Sequence, residues 1–139
     1  MKKVFIETSV FIRYFTKDDP KKFNDCIRLF DQVEQGKLIP YISNVVIMEI
    51  IFVLTGLYGF PKATVLSAIE DIFQMRNLVV VEKTDTRKAL GIFKKYNIKY
   101  GDSLIATQLP ATTLLLSYDS DFSKITSLNV AEPAKNMTC

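Results

Sequence analysis

Four carboxylates in this chain stand where a carboxylate is costly: Glu7 in KVFIETSVFI, Glu49 in ISNVVIMEIIFVL, Asp102 in KYGDSLIATQL and Asp119 in TLLLSYDSDF. Each lies against an apolar run, and an ionised carboxylate taken out of water without a partner is strongly unfavourable. Four such groups in one small chain point to a shared counter-charge, most simply a divalent cation bound through oxygen. The sequence has no histidine and only two cysteines, Cys26 and Cys139. That leaves hard oxygen ligands, for which Mg²⁺ or Mn²⁺ is the natural ion. The missing histidine also excludes HExxH zinc hydrolases, histidine-based ribonucleases and Ser-His-Asp hydrolases. No GxxxxGK[ST] loop and no glycine-rich dinucleotide fingerprint is present.

The elements that must carry these acids alternate between strand and helix. Val4 to Ile6 reads as a strand, with Thr8 or Ser9 capping a helix through Phe15. Asp19-Pro20 opens a second helix that Gly36 stops near Gln35. Leu38 to Ile42 is a strand weakened by Pro40, after which Ser43 or Asn44 caps an apolar helix to about Tyr58. That helix is hydrophobic nearly all round, which predicts a buried element. A turn at Gly59-Phe60-Pro61 leads to a helix over Lys62 to Met75, and Leu78 to Val81 reads as a strand covered on both faces. Thr84 or Asp85 then caps a basic helix ending near Asn97, and Asp102 begins a short helix that stops before Pro110. Thr113 to Ser117 and Leu128 to Ala131 complete the strands, the last at an edge. The alternation predicts an α/β/α sandwich around a parallel sheet, whose sites form at the carboxyl ends of strands. Glu7 and Asp119 occupy such ends directly, while Glu49 and Asp102 reach them from helices.

At 139 residues, 48% of them hydrophobic, the chain predicts one folded domain over residues 1–132 with a tail over 133–139. The two cysteines are far apart, so no structural disulfide is expected and a cytoplasmic setting fits. Glu7 interrupts the apolar N-terminal run too early for a signal peptide, and Val45 to Phe60 is too short and too broken to span a membrane. Net charge is +3, but between Lys83 and Lys99 six basic residues face one acid. On a helix, Arg87, Lys88, Lys94 and Lys95 share one face and Ala89, Leu90, Ile92, Phe93 and Tyr96 the other. With Lys99, that basic face is either a solvated surface or a docking surface for a phosphate backbone. Phe5, Phe11, Phe15, Phe30, Phe52 and Phe73 fall at core-like spacings. Asp102 has a second reading as a helix cap, and Asp119 and Asp121 as turn residues. Asp18, Asp19 and Asp25 read as surface or helix-start acids.

Taken in order, ETSVFIRYF, SNVVIMEI, YGDSLIA and LLSYDSDF resemble PIN-domain ribonucleases, most closely the VapC-type toxins of toxin–antitoxin pairs, over Val4 to about Phe122. The resemblance implies a three-layer α/β/α sandwich with a parallel sheet of about five strands and the acids gathered at one end. It places Glu7, Glu49, Asp102 and Asp119 at the family's four acidic positions, as metal-holding and catalytic residues. Asp121 accompanies the fourth acid, and Ser9 and Ser117 support the pocket. The implied activity is endoribonucleolytic hydrolysis of RNA phosphodiesters with Mg²⁺ or Mn²⁺. The implied partners are RNA, a cognate protein antitoxin and a second copy of the chain, with no membrane. Glu7, Asp102 and Asp119 are the expected direct ligands; Glu49 acts through water or positions the nucleophile. The departure is Glu7, where the family normally carries aspartate. Its extra methylene displaces the carboxylate by on the order of 1.5 Å, which motivates the alternative of a catalytically weakened module that binds RNA or protein.

Overall fold

A computed structural model of the chain describes residues 2–134. Its five strands are β1 (Lys2–Ile6), β2 (Leu38–Ser43), β3 (Val79–Val81), β4 (Leu114–Leu116) and β5 (Val130–Ala131). They form one sheet in the order β3-β2-β1-β4-β5, every pair parallel. Six α-helices connect them: α1 (Thr8–Thr16), α2 (Pro20–Glu34), α3 (Asn44–Phe52), α4 (Lys62–Phe73), α5 (Thr86–Lys95) and α6 (Tyr100–Ala106). The chain steps from β1 to β2 to β3 in one direction, then crosses back to add β4 and β5 on the other side of β1. With right-handed crossovers, that reversal puts helices on both faces, giving three layers. It also creates a switch point between β1 and β4, the place where such sheets open a crevice beyond their carboxyl ends.

Burial follows position in the sheet. Val4, Phe5 and Ile6 of β1 and Leu115 and Leu116 of β4 are fully buried, as central strands with both faces covered must be. The expectation of a doubly covered strand at Leu78 to Val81 fails: β3 is an edge strand, and Val79 is 37% exposed. Pro40 is accommodated because β2 pairs with β3 only from Tyr41 onward, so it sits where a single neighbouring strand is paired. Asp19 caps α2 by accepting from the Lys22 N–H, and Gly36 turns the chain out of that helix at φ 75°, a conformation that favours glycine.

Two further expectations are corrected. The apolar helix after Ser43 is not buried all round. It buries Val45, Val46 and Ile50 inward and leaves Met48, Ile51 and Phe52 outward, with Phe52 69% exposed. From Val53 to Leu57 it widens into a π-helical turn, closed by Tyr58 N–H on Val53 O at 3.2 Å. Among the described residues no layer covers the outer face, which is why apolar periodicity alone misled. Phe73 is likewise half exposed, so neither it nor Phe52 is a core residue. Asp25, by contrast, is buried and held by Lys21 and Arg28 rather than lying at the surface. Cys26 is buried in the core; Cys139 and most of the expected tail, residues 135–139, lie outside the described residues.

Candidate metal centre

Glu7 ends β1 and caps α1. Its backbone N–H donates to Leu116 O at 3.0 Å, tying it to β4 across the switch point. The carboxylate folds back over the first turn of α1, so that Oε1 alone accepts from Ser9 N–H at 3.1 Å, Ser9 Oγ at 2.6 Å and Ser117 Oγ at 2.7 Å. The two hydroxyls are themselves fixed by the turn after β4: Tyr118 N–H donates to Ser9 Oγ at 2.8 Å and Asp119 N–H to Ser117 Oγ at 2.9 Å. Ser9 and Ser117 thus orient Glu7 and order the loop that carries Asp119. Burial still raises the Glu7 pKa against these hydrogen bonds, and Asp119 adds to the rise.

Glu49 projects from α3 and is held by Thr8 Oγ1, which donates to its Oε1 at 2.6 Å. Its other oxygen, Oε2, rests on the first turn of α6, where a Cβ at Gly101 would approach it to 2.8 Å. Only glycine leaves that space. Burial raises the Glu49 pKa, with Thr8 and Lys99 opposing and Glu7 and Asp119 assisting.

Asp102 lies in the first turn of α6, 3% exposed, and does not cap it: the N-cap is Lys99. Its Oδ2 is buried with no hydrogen-bond partner among the described residues. Burial, then the charges of Asp119, Glu7 and Glu49, push its pKa up to about 7. Asp119 caps the short 3₁₀ turn Ser120–Lys124 by accepting from Asp121 N–H, and Asp121 pairs with Lys124 at 2.9 Å. Carboxylate oxygens of Asp102, Asp119 and Asp121 all fall within 4.8 Å of one another.

Those distances suit a hard cation, whose oxygen ligands lie about 3 to 4 Å apart around Mg²⁺. An orphaned buried carboxylate oxygen and an all-oxygen donor set make the same demand, so the residues fit a divalent ion. Glu7, Glu49, Asp102 and Asp119 all line one cleft of about 560 Å³ at the carboxyl ends of β1 and β4, together with Lys99. Asp121 sits with Asp102 and Asp119 but not in the lining of that cleft. Of the basic residues singled out in the sequence, Lys99 reaches the cleft, while Arg87, Lys88, Lys94 and Lys95 stand exposed on α5 away from it.

Sequence reasoning missed Thr8 as the residue that fixes Glu49, Gly101 as the space beneath it, and the apolar wall of Met48, Phe52 and Leu57. Gly101 immediately before Asp102 was the one local signal available; the others depend on contacts remote in sequence.

The family model for the PIN domain matches residues 4–128. Comparison with curated proteins gives no match. Among solved structures, VapBC-1 from nontypeable Haemophilus influenzae is similar at TM-score 0.66 and 18% identity, covering 96% of this chain and 99% of that one. VapBC2 from Rickettsia felis, bound to a DNA fragment from their promoter, is similar at TM-score 0.60 and 16% identity, covering 94% of this chain and 98% of that one. FitAcB from Neisseria gonorrhoeae is similar at TM-score 0.63 and 13% identity, covering 94% of this chain and 97% of that one.

Proposed function

Because the chain belongs to the PIN domain family, we propose that it is a metal-dependent endoribonuclease of the VapC type, the toxin of a cytoplasmic toxin–antitoxin pair. The observation that carries this reading is Asp102, a buried carboxylate with an orphaned oxygen set among three other acids. Asp102, Asp119 and Asp121 would hold a Mg²⁺ or Mn²⁺ ion, with Glu7 and Glu49 lining the same cleft as Asp102 and Asp119. When bound, the ion supplies Lewis-acid activation of water and neutralisation of charge at the phosphodiester. The chain's own residues do the rest. Ser9 and Ser117 hold Glu7 in one orientation, and Thr8 fixes Glu49, the group with a raised pKa best placed to take a proton from an attacking water. Lys99, the exposed cation at the cleft, meets the phosphate backbone.

Among the described residues no helix is long and apolar enough to cross a membrane. The uncovered apolar surface of α3 and the π-helical turn, beside the cleft, supports a protein partner there: the antitoxin or a second copy of the chain.

Glu7 favours a second reading. Three donors on its Oε1 leave Oε2 as the oxygen this carboxylate could offer an ion, as suits a weakened nuclease that binds RNA or protein. Cleavage of a structured-RNA panel with Mg²⁺ or Mn²⁺, by the parent, Asp102→Asn and Glu7→Asp, decides between them. Cleavage by the parent that is lost in EDTA and in Asp102→Asn is the expected result. An inert parent beside an active Glu7→Asp would establish the binding module, and an inert set would overturn the nuclease.

A further inference from the structure

Helix α5 does not bury the face its sequence suggests. Ala89 is fully buried, and Ile92 and Tyr96 pack on the small cluster of Ile98, Ala106 and Ile125. Leu90 and Phe93, which share the apolar half of the helix, join no core cluster and are 51% and 46% exposed. Phe93 is not adrift: its ring meets Tyr100 edge-on at 5.7 Å. Tyr100 opens α6 between Lys99 and Asp102, both of which line the cleft. At about 100° per residue, Phe93, Leu90, Lys94 and Arg87 follow one another around α5 as a continuous strip. Lys88 and Lys95 lie on the far flank, and Lys95 is turned onto the Tyr96 ring at 5.3 Å. Among the described residues, neither Arg87 nor Lys94 forms an ion pair.

We propose that Phe93, supported by Tyr100, is a stacking platform for an unpaired base of an RNA strand whose phosphates rest on Arg87, Lys94 and Lys99 as it enters the cleft. Single exposed apolar side chains are ordinary. Here the apolar strip is contiguous, bordered by free cations, and joined by ring contact to the edge of the cleft. A duplex keeps its bases stacked on each other and cannot use such a ledge, whereas a single strand or loop can. Charge selects the occupant: a basic border with no acid in it repels a basic partner and attracts a polyanion.

This deepens the nuclease reading and rests on it for what lies in the cleft; binding and cutting are therefore measured separately. An unstructured oligoribonucleotide and a duplex of the same length are titrated against the Asp102→Asn protein, with Phe93→Ala, Phe93→Tyr, Arg87→Ala/Lys94→Ala and Lys88→Ala/Lys95→Ala added in turn. Phe93→Ala is expected to weaken single-strand binding about tenfold and duplex binding hardly at all, with Phe93→Tyr restoring it. Loss of Arg87 and Lys94 lowers the salt slope by about 1.4, while loss of Lys88 and Lys95 leaves it unchanged. Parent-like single-strand binding by Phe93→Ala overturns the platform, as does equal weakening toward the duplex. A change in sedimentation with no change in RNA binding also overturns it, by giving the strip to a second copy of the chain. If the parent cuts no RNA while Phe93-dependent binding persists, the platform stands and the nuclease reading falls. If the parent cuts and Phe93→Ala leaves KM unaltered, the platform alone falls.

Discussion

Replacing Asp102 by asparagine should stabilise the cation-free protein, although it removes a residue the site depends on. Asp102 is 3% exposed, and its carboxyl is pushed from 3.8 to about 7, first by burial and then by Asp119, Glu7 and Glu49. The folded chain therefore binds this proton more tightly than the unfolded chain does. Stability from this group is fully present below pH 3.8 and is lost as pH rises to about 7, after which it stays lost. A rise of that size corresponds to roughly 4 kcal/mol. Asparagine keeps the shape and carries no charge at any pH, but its buried amide costs about 1 to 3 kcal/mol where it finds no partner. A net gain of about 2 kcal/mol remains near pH 7.5, on the order of 6 to 8 °C in Tm for a chain of this length. Thermal melts of parent and Asp102→Asn in EDTA, from about pH 4 to pH 8, measure it directly. The gain should shrink as pH falls, pass through zero and become a loss of about 1 to 2 kcal/mol near pH 4, where only the amide cost remains. With Mn²⁺ near a hundred times its Kd, the order should reverse, because only the parent collects about 2.7 kcal/mol of binding linkage. A Tm at pH 7.5 equal to or below the parent's would refute the reasoning, as would a gain that persists undiminished to pH 4.

Two other substitutions probe the supports rather than the acid. Ser117→Ala removes a donor to Glu7 Oε1 and an acceptor for Asp119 N–H in a buried position, so the urea midpoint should fall by the equivalent of about 2 kcal/mol with an unchanged slope. Gly101→Ala brings a Cβ to within 2.8 Å of Glu49 Oε2. The side-chain end yields and α6 gains helix propensity, so stability should stay within about 1 kcal/mol of the parent. RNA cleavage should fall roughly ten- to a hundredfold as the carboxylate is displaced; cleavage at the parent's rate would show that the placement of Glu49 is immaterial.

The sheet was legible because its strands are short, mostly apolar runs between well-signalled helix starts. Asp19-Pro20, Ser43 and Asp85 each cap where the sequence says, accepting from the N–H three residues on. What periodicity cannot express is which apolar face a neighbour covers. Met48, Phe52, Phe73, Leu90 and Phe93 carry the pattern of core residues yet stand at the surface. The acids were legible for the opposite reason: a charge inside VVIMEIIF or YGDSLIA needs an explanation wherever it folds. Of their supports, Ser9 and Ser117 were expected from the family resemblance, but Thr8 was not, because it meets Glu49 across 41 residues.

Glu7 and Asp102 show two ways a buried carboxylate can be placed at one cleft. A carboxylate at a strand end that begins a helix has two uses, capping the helix or facing the crevice. Glu7 does both: it accepts from the Ser9 N–H while staying in the cleft lining, and the hydroxyls of Ser9 and Ser117 converge on the same oxygen. Among the described residues Asp102 has no such donors, and a proton or a cation would satisfy its orphaned Oδ2. The acids around the cleft therefore divide the work. Glu7 takes three donors from the fold and joins β1, α1 and the turn after β4 into one unit, although burial still raises its pKa. Asp102 is left unsatisfied by the described residues, a cost that a bound cation would relieve.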